Sequence, residues 1–174
     1  GKTPELLGIK ENTGKRDDRV IIGLGFDETA ELMILVENMG RANFGPKMMR
    51  KKGIAGRLLL GRRIHFNWDV YTLPMDNLEA LDFSKKPSAP SRFYKGNFTV
   101  DVIEDTFLYL DNFTKGFVVI NGFNLGRYWE IGPQKSLYVP ASILNEGENE
   151  IIVFESDGIK GEAVVEFKDF PTLE

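Results

Sequence analysis

Two groups of residues carry the side chains best suited to recognition chemistry. The first is Asn121, Asn124, Arg127, Tyr128 and Trp129; the second is Asn38, Arg41, Asn43 and Phe44, with Trp68 and Tyr71 as further rings. Aromatic rings stack on the apolar C–H face of a pyranose, while amides and guanidinium forks hydrogen-bond its hydroxyls, so mixtures of these types suit sugars. Packing competes with that reading. Asn121 and Gly122 are needed for a turn, and Tyr128 and Trp129 could fill the space between sheets. A guanidinium beside two aromatics needs a carboxylate, backbone carbonyls or a sugar, and for Arg127 a carboxylate within the fold is expected.

Other chemistry is poorly supported. The only histidine, His65, stands in a strand-like run, which argues against a histidine metal site or a Ser-His-Asp arrangement. With Cys 0 the chain has no thiolate nucleophile or disulfide framework. Gly23-Leu-Gly25 lacks the third glycine and helix start of a dinucleotide fingerprint, and no Gly-Lys-Ser/Thr loop occurs. No cofactor and no metal are therefore expected. Asp101, Glu104 and Asp105 are close enough for a calcium site, but a solvated turn explains them as well. Between Phe44 and Phe66 every charged side chain other than His65 is basic: Lys47, Arg50, Lys51, Lys52, Arg57, Arg62 and Arg63. The stretch reads either as a docking surface for an acidic neighbour or as solvated turns and edge strands.

The elements that must position these residues are strands. The chain has 174 residues, fewer than the roughly 250 of a catalytic (β/α)8 barrel. Its net charge of −4 gives no global attraction for nucleic acid or anionic lipid. No run approaches the roughly 20 apolar residues of a membrane helix, and the first four residues do not begin a signal peptide. The compartment is not assigned. Gly 18, Pro 8 and Phe 13 favour short strands joined by turns, giving an all-β antiparallel sandwich with little helix.

Strands are expected at residues 19–24, at 31–37 as a buried central strand, at 54–60 and 62–66 as a hairpin about Gly61, and at 67–75. Further strands are expected at 98–103, 106–110, 117–120, 137–139, 150–155 and 163–167. Asn121-Gly122 between apolar runs predicts a hairpin with a type I′ turn, and residues 140–145 predict one helical turn. The organisation expected is a tail or linker at 1–16, a partial first β-module at 17–84, a Pro- and Ser-rich linker at 85–92 and a C-terminal β-module at 93–174. The alternative is one sandwich over 17–174.

Two stretches are more specific than any short motif. They are Leu35-Val-Glu-Asn-Met-Gly-Arg-Ala-Asn-Phe-Gly-Pro46 followed by Lys52-Gly-Ile54, and Lys115-Gly-Phe-Val-Val-Ile-Asn-Gly-Phe-Asn-Leu-Gly-Arg-Tyr-Trp129 continuing through Gly132-Pro-Gln134, Leu137-Tyr-Val-Pro140 and Asn149. Together with Phe93-Tyr-Lys-Gly-Asn97 and Asp105-Thr-Phe107 they resemble, in order, the C-terminal β-domains of family 35 glycoside hydrolases, the retaining β-galactosidases. The resemblance implies a galactose-binding-like jelly roll for 93–174 and a parent enzyme whose catalytic glutamates lie in a separate barrel, so that this region alone has no catalytic residues. It implies the barrel as partner, galactosides as ligands for Asn121, Asn124, Arg127 and Trp129, and a cleft-lining or packing role for Arg41, Asn43 and Phe44. If strands of the first module are missing, its open edges would need cover from the basic loop, from residues 1–16, or from a second copy in a homodimer.

Overall fold

The computed structural model describes residues 31–37, 43–46, 48–49, 53–54, 56–60, 62–85, 90–132 and 135–172. The chain divides into two compact units, one within residues 23–78 and one containing the residues from Glu79 onward. The expected strand at 19–24 and the tail at 1–16 lie outside the described residues.

In the first unit, β1 (Leu59–Leu60) and β2 (Arg63–Ile64) pair antiparallel with Leu59 opposite Ile64. The His65 amide donates to the Leu58 carbonyl at 3.0 Å and extends the ladder by one bond. This is the expected hairpin, shortened to its turn-proximal rungs. Residues 31–37 and 67–75 are not strands. Met33, Leu35 and Val36 are largely exposed, so the buried central strand expected there is corrected. Apolar residues make strand formation favourable only where a partner supplies the ladder, and among the described residues none pairs with this run.

The second unit contains two antiparallel sheets. The first has strand order β3 (Arg92–Val100), β8 (Gly147–Glu155), β5 (Lys115–Ile120), β6 (Phe123–Trp129); the second has β7 (Ser136–Val139), β4 (Thr106–Tyr109), β9 (Glu166–Lys168). The chain changes sheet at most connections, as in a jelly roll. The strand expected at 98–103 is displaced. β3 begins at Arg92 because nine residues pair with β8, from Arg92 opposite Glu155 to Val100 opposite Gly147. Val102 and Ile103 then fall in an exposed bend.

Alternation explains the core. Val118 and Ile120 of β5, Ile151 and Val153 of β8 and Tyr128 of β6 face inward to meet Leu108 of β4 and Leu137 and Val139 of β7. Fully burying each of Leu108, Val118, Ile120 and Val139 contributes about 1.5–3 kcal/mol. At Gly116 the sheet admits no side chain, since a Cβ would stand 1.7 Å from the Phe154 carbonyl oxygen and 2.8 Å from the Tyr128 hydroxyl. Helix is limited to single 3-10 turns at Leu78–Ala80 and Ala141–Ile143, the latter following Pro140 as expected.

Candidate functional site

The β5–β6 hairpin is built by local chemistry. Asn121 (φ 48°) and Gly122 (φ 81°) both take the positive φ that a type I′ turn requires, and an amide or glycine tolerates it best. Asn121 is then fully engaged in the fold. Its Nδ2 donates to the Ile143 carbonyl at 2.8 Å and to Asn149 Oδ1 at 2.7 Å, and its Oδ1 accepts from the Glu150 amide at 2.9 Å. Asn149, 1% exposed, completes the brace by donating to the Asn145 and Gly147 carbonyls and accepting from the Asn145 amide. Asn124 accepts from the Gly126 amide at 2.8 Å, where the β5–β6 register shifts and Leu125 is the extra residue. Turn and bulge chemistry therefore engages the whole Asn121 amide and the Asn124 oxygen.

Alternation places Arg127 and Trp129 on the outer face and Tyr128 on the inner one. The Arg127 guanidinium carbon lies 5.3 Å from the centroid of the Trp129 ring, and the Lys115 ammonium lies 5.9 Å from the same centroid. Among the described residues no carboxylate forms an ion pair with Arg127, so the expected acidic partner is replaced by a cation–π contact. Phe117 stands opposite Arg127 in the ladder and stacks on Phe154 at 5.3 Å, while Phe154 meets Phe93 at 4.9 Å.

The inner side holds a buried polar network around Glu155, which is 0% exposed. Its Oε2 accepts from the Thr114 amide at 2.8 Å and the Tyr128 hydroxyl at 3.0 Å; its Oε1 accepts from the Thr114 hydroxyl and from the Asp157 and Gly158 amides. A carboxylate so supplied with donors is a structural anchor. Burial, with the neighbouring Glu155 charge, pushes the Tyr128 phenol far above its ordinary value. Beside the network, Lys115 is 6% exposed and its ammonium is 3.5 Å from Asp157.

Next to this network is a hollow of about 200 Å³ bordered by Tyr109, Asp111, Trp129, Glu130 and Lys135. Two turns and one cross-strand bond hold its walls. Phe113 N donates to Leu110 O at 3.3 Å, Glu130 N to Thr114 O at 2.7 Å, and Gly132 N to Trp129 O at 3.0 Å. Glu130 is paired with Lys160, and the Tyr109 hydroxyl lies 3.4 Å from Asp111 Oδ1.

The second sequence group is not assembled in this way. Asn43 is exposed and Phe44 is 88% exposed, Tyr71 is exposed, and Trp68 donates to the His65 carbonyl at 3.1 Å with the two rings edge to face. Asn38 and Arg41 lie outside the described residues, as do Lys47, Arg50, Lys51 and Lys52 of the basic stretch; Arg57, Arg62 and Arg63 are exposed. Among the described residues no cluster of three or more His, Asp or Glu could hold a metal. Asp105 instead accepts from the Ala141 amide at 2.8 Å and the Tyr138 hydroxyl at 2.7 Å, and those bonds, the amide's first, hold its carboxyl below the ordinary aspartate range. Sequence reasoning did not find Tyr109, Asp111, Glu130 and Lys135. Glu130, which directly follows Trp129, and Lys135, which directly follows the Gly132-Pro-Gln134 stretch, had a signal nearby.

The second unit is thus an antiparallel two-sheet module that carries an outward aromatic–guanidinium group and a polar hollow. Comparison with known families gives the particular one. Residues 91–149 match the family model described as the galactose-binding domain of β-galactosidase, and residues 7–74 match that of the first all-beta domain of β-galactosidase. The chain is 36% identical over 196 residues to the β-galactosidase of Bos taurus, a match covering 95% of this chain and 30% of that protein. It is 42% identical to a β-galactosidase-1-like protein of Mus musculus, covering 97% of this chain and 27% of the mouse protein. It is 41% identical to the β-galactosidase-1-like protein 2 of Homo sapiens, covering 82% and 23%. The chain belongs to the β-galactosidase family and carries its first all-beta and galactose-binding domains. It spans less than a third of the length of these relatives.

Proposed function

We propose that this chain is the non-catalytic accessory region of a retaining β-galactosidase, which steadies a catalytic barrel and contacts galactosides. The observation that carries the proposal is the galactose-binding-domain match over 91–149, a stretch that includes the strands from β3 to β7 and the start of β8. Glu155, the fully buried carboxylate, has donors on both oxygens and so is not poised for proton transfer or nucleophilic attack, which a retaining site demands of two carboxylates about 5–5.5 Å apart. The purified chain, free of host enzyme, should not turn over nitrophenyl β-galactoside; clear turnover overturns the proposal. In the complete enzyme, Arg127→Ala should shorten the thermal half-life of activity while leaving kcat unchanged.

A second reading is a purely structural or dimer-forming module without sugar affinity. It is favoured by the engagement of Asn121 in the turn and by the cations beside the Trp129 ring. Sedimentation of the chain over a concentration series tests the homodimer, and the absence of any response to galactoside favours this second reading.

A further inference from the structure

We infer that the galactoside contact of this region lies in the hollow between Tyr109, Asp111, Trp129, Glu130 and Lys135, and not at the Asn121–Asn124 hairpin tip; this rests on the accessory, sugar-contacting role proposed above. The tip has little left to offer a ligand, because both hydrogens and the oxygen of the Asn121 amide are engaged in the fold and Asn124 Oδ1 closes the bulge. The hollow is differently equipped. Its volume of about 200 Å³ is below the roughly 300–1,000 Å³ of drug-sized sites and suits one pyranose ring at most. Asp111 and Glu130 each have one oxygen engaged, by the Tyr109 hydroxyl and by Lys160, and bring the other as an acceptor for hydroxyls, while Lys135 brings an ammonium donor. Tyr109 and Trp129 add aromatic surface for the C–H face.

The charges indicate a neutral ligand. Asp111 and Glu130 are accompanied by Lys135, by Lys160, which is paired with Glu130, and by Lys168, which stands 4.0 Å from the Tyr109 ring centroid and is paired with Glu166, so both signs of charge surround the hollow. The walls are set before any ligand arrives. Two backbone turn bonds, the cross-strand bond from Glu130 N to Thr114 O, the Lys135 amide bonded to the Thr172 carbonyl at 3.2 Å, and Tyr128 held by Glu155 fix the rim. Preorganisation of this kind lowers the ordering entropy that a weak ligand must overcome.

The test is a titration of the whole 174-residue chain with methyl β-galactoside, followed by ¹H–¹⁵N NMR. The expected result is saturable shifts of the Trp129 indole N–H and the Asp111, Glu130 and Lys135 amides with a millimolar Kd. Asp111→Asn and Lys135→Ala should each weaken binding by about fivefold or more, with Arg127→Ala changing it by less than about twofold. Spectral dispersion matching the parent chain establishes that each variant is folded, and Tyr109→Phe, which keeps the ring, supplies a milder second probe. Shifts confined to residues 121–127, with Asp111→Asn and Lys135→Ala binding normally, overturn the location while leaving the sugar-contacting role intact. No shift anywhere up to about 50 mM overturns both.

Discussion

Replacing Tyr128 by phenylalanine removes one oxygen from the centre of the buried network, and the structure sets both the size and the pH dependence of the effect. The hydroxyl is within 3.0 Å of Glu155 Oε2 and 2.9 Å of the Phe154 carbonyl, in a residue only 4% exposed. A hydrogen bond to a charged group contributes about 1.5–3 kcal/mol, and Glu155 keeps its Thr114, Asp157 and Gly158 donors in the variant, so the loss near pH 8 should be about 2 kcal/mol. The same hydroxyl ties stability to alkaline pH. Its folded-state value is raised, so the contribution is complete below the ordinary tyrosine value of about 10 and declines above it, where the unfolded chain releases a proton that the folded chain retains. One proton corresponds to about 1.4 kcal/mol per pH unit, so the stability gap between parent and Tyr128→Phe should narrow from about 2 at pH 8 to about 0.6 kcal/mol at pH 11. Urea unfolding of both proteins at the two pH values measures it, and other titrating groups cancel in the difference. A gap that is absent at pH 8, or that stays constant to pH 11, would refute the network as described.

Tyr94→Phe should act in the opposite direction: among the described residues its hydroxyl is the one buried side-chain polar atom without a hydrogen-bond partner, and removing it should raise stability by up to about 1 kcal/mol in the same urea assay. Gly116→Ala should cost at least about 3 kcal/mol, visible as lost soluble yield and a collapsed thermal transition, because its Cβ must displace the Phe154 backbone. Asn149→Ala should cost about 2–3 kcal/mol by orphaning the Asn121 amide and the 145–147 backbone, with a normal melting temperature counting against the brace. Asp105 has a depressed folded-state value, so its contribution is present above the ordinary aspartate value of about 3.9 and is lost as pH falls through the lower folded one; Asp105→Asn should remove that share of the acid sensitivity, read from the Tyr138 and Ala141 resonances during an acid titration.

The legible parts of this protein are those whose cause is local. Positive φ at Asn121 and Gly122 follows from residue type, and the strands at 106–109, 115–120, 136–139 and 147–155 follow from short apolar runs bounded by turn residues. The 3-10 turn after Pro140 belongs with them. Family membership was also legible, because two long stretches keep their residues in order. Where a partner decides the outcome, the pattern misled. Residues 31–37 have a strand's composition without its ladder, while Arg92, placed in the linker, and Phe93, placed in the module but in no strand, are both drawn into β3 by pairing with Glu155 and Phe154. Arg127 advertised a need for a partner, but only the alternation along β6 set it beside Trp129.

The sequence by itself determined the all-β class, the hairpin and the kinship, since each depends on residues adjacent or nearly adjacent in the chain. The tertiary structure alone decided which polar groups are engaged and which are open. Glu155 collects donors from residues about forty positions away, and the hollow gathers Tyr109, Asp111, Trp129, Glu130 and Lys135 from separate strands and turns. Hydrogen bonding and cavity shape depend on distances of a few ångströms between segments far apart in the chain, and these distances come into being only when the two sheets close on a common core.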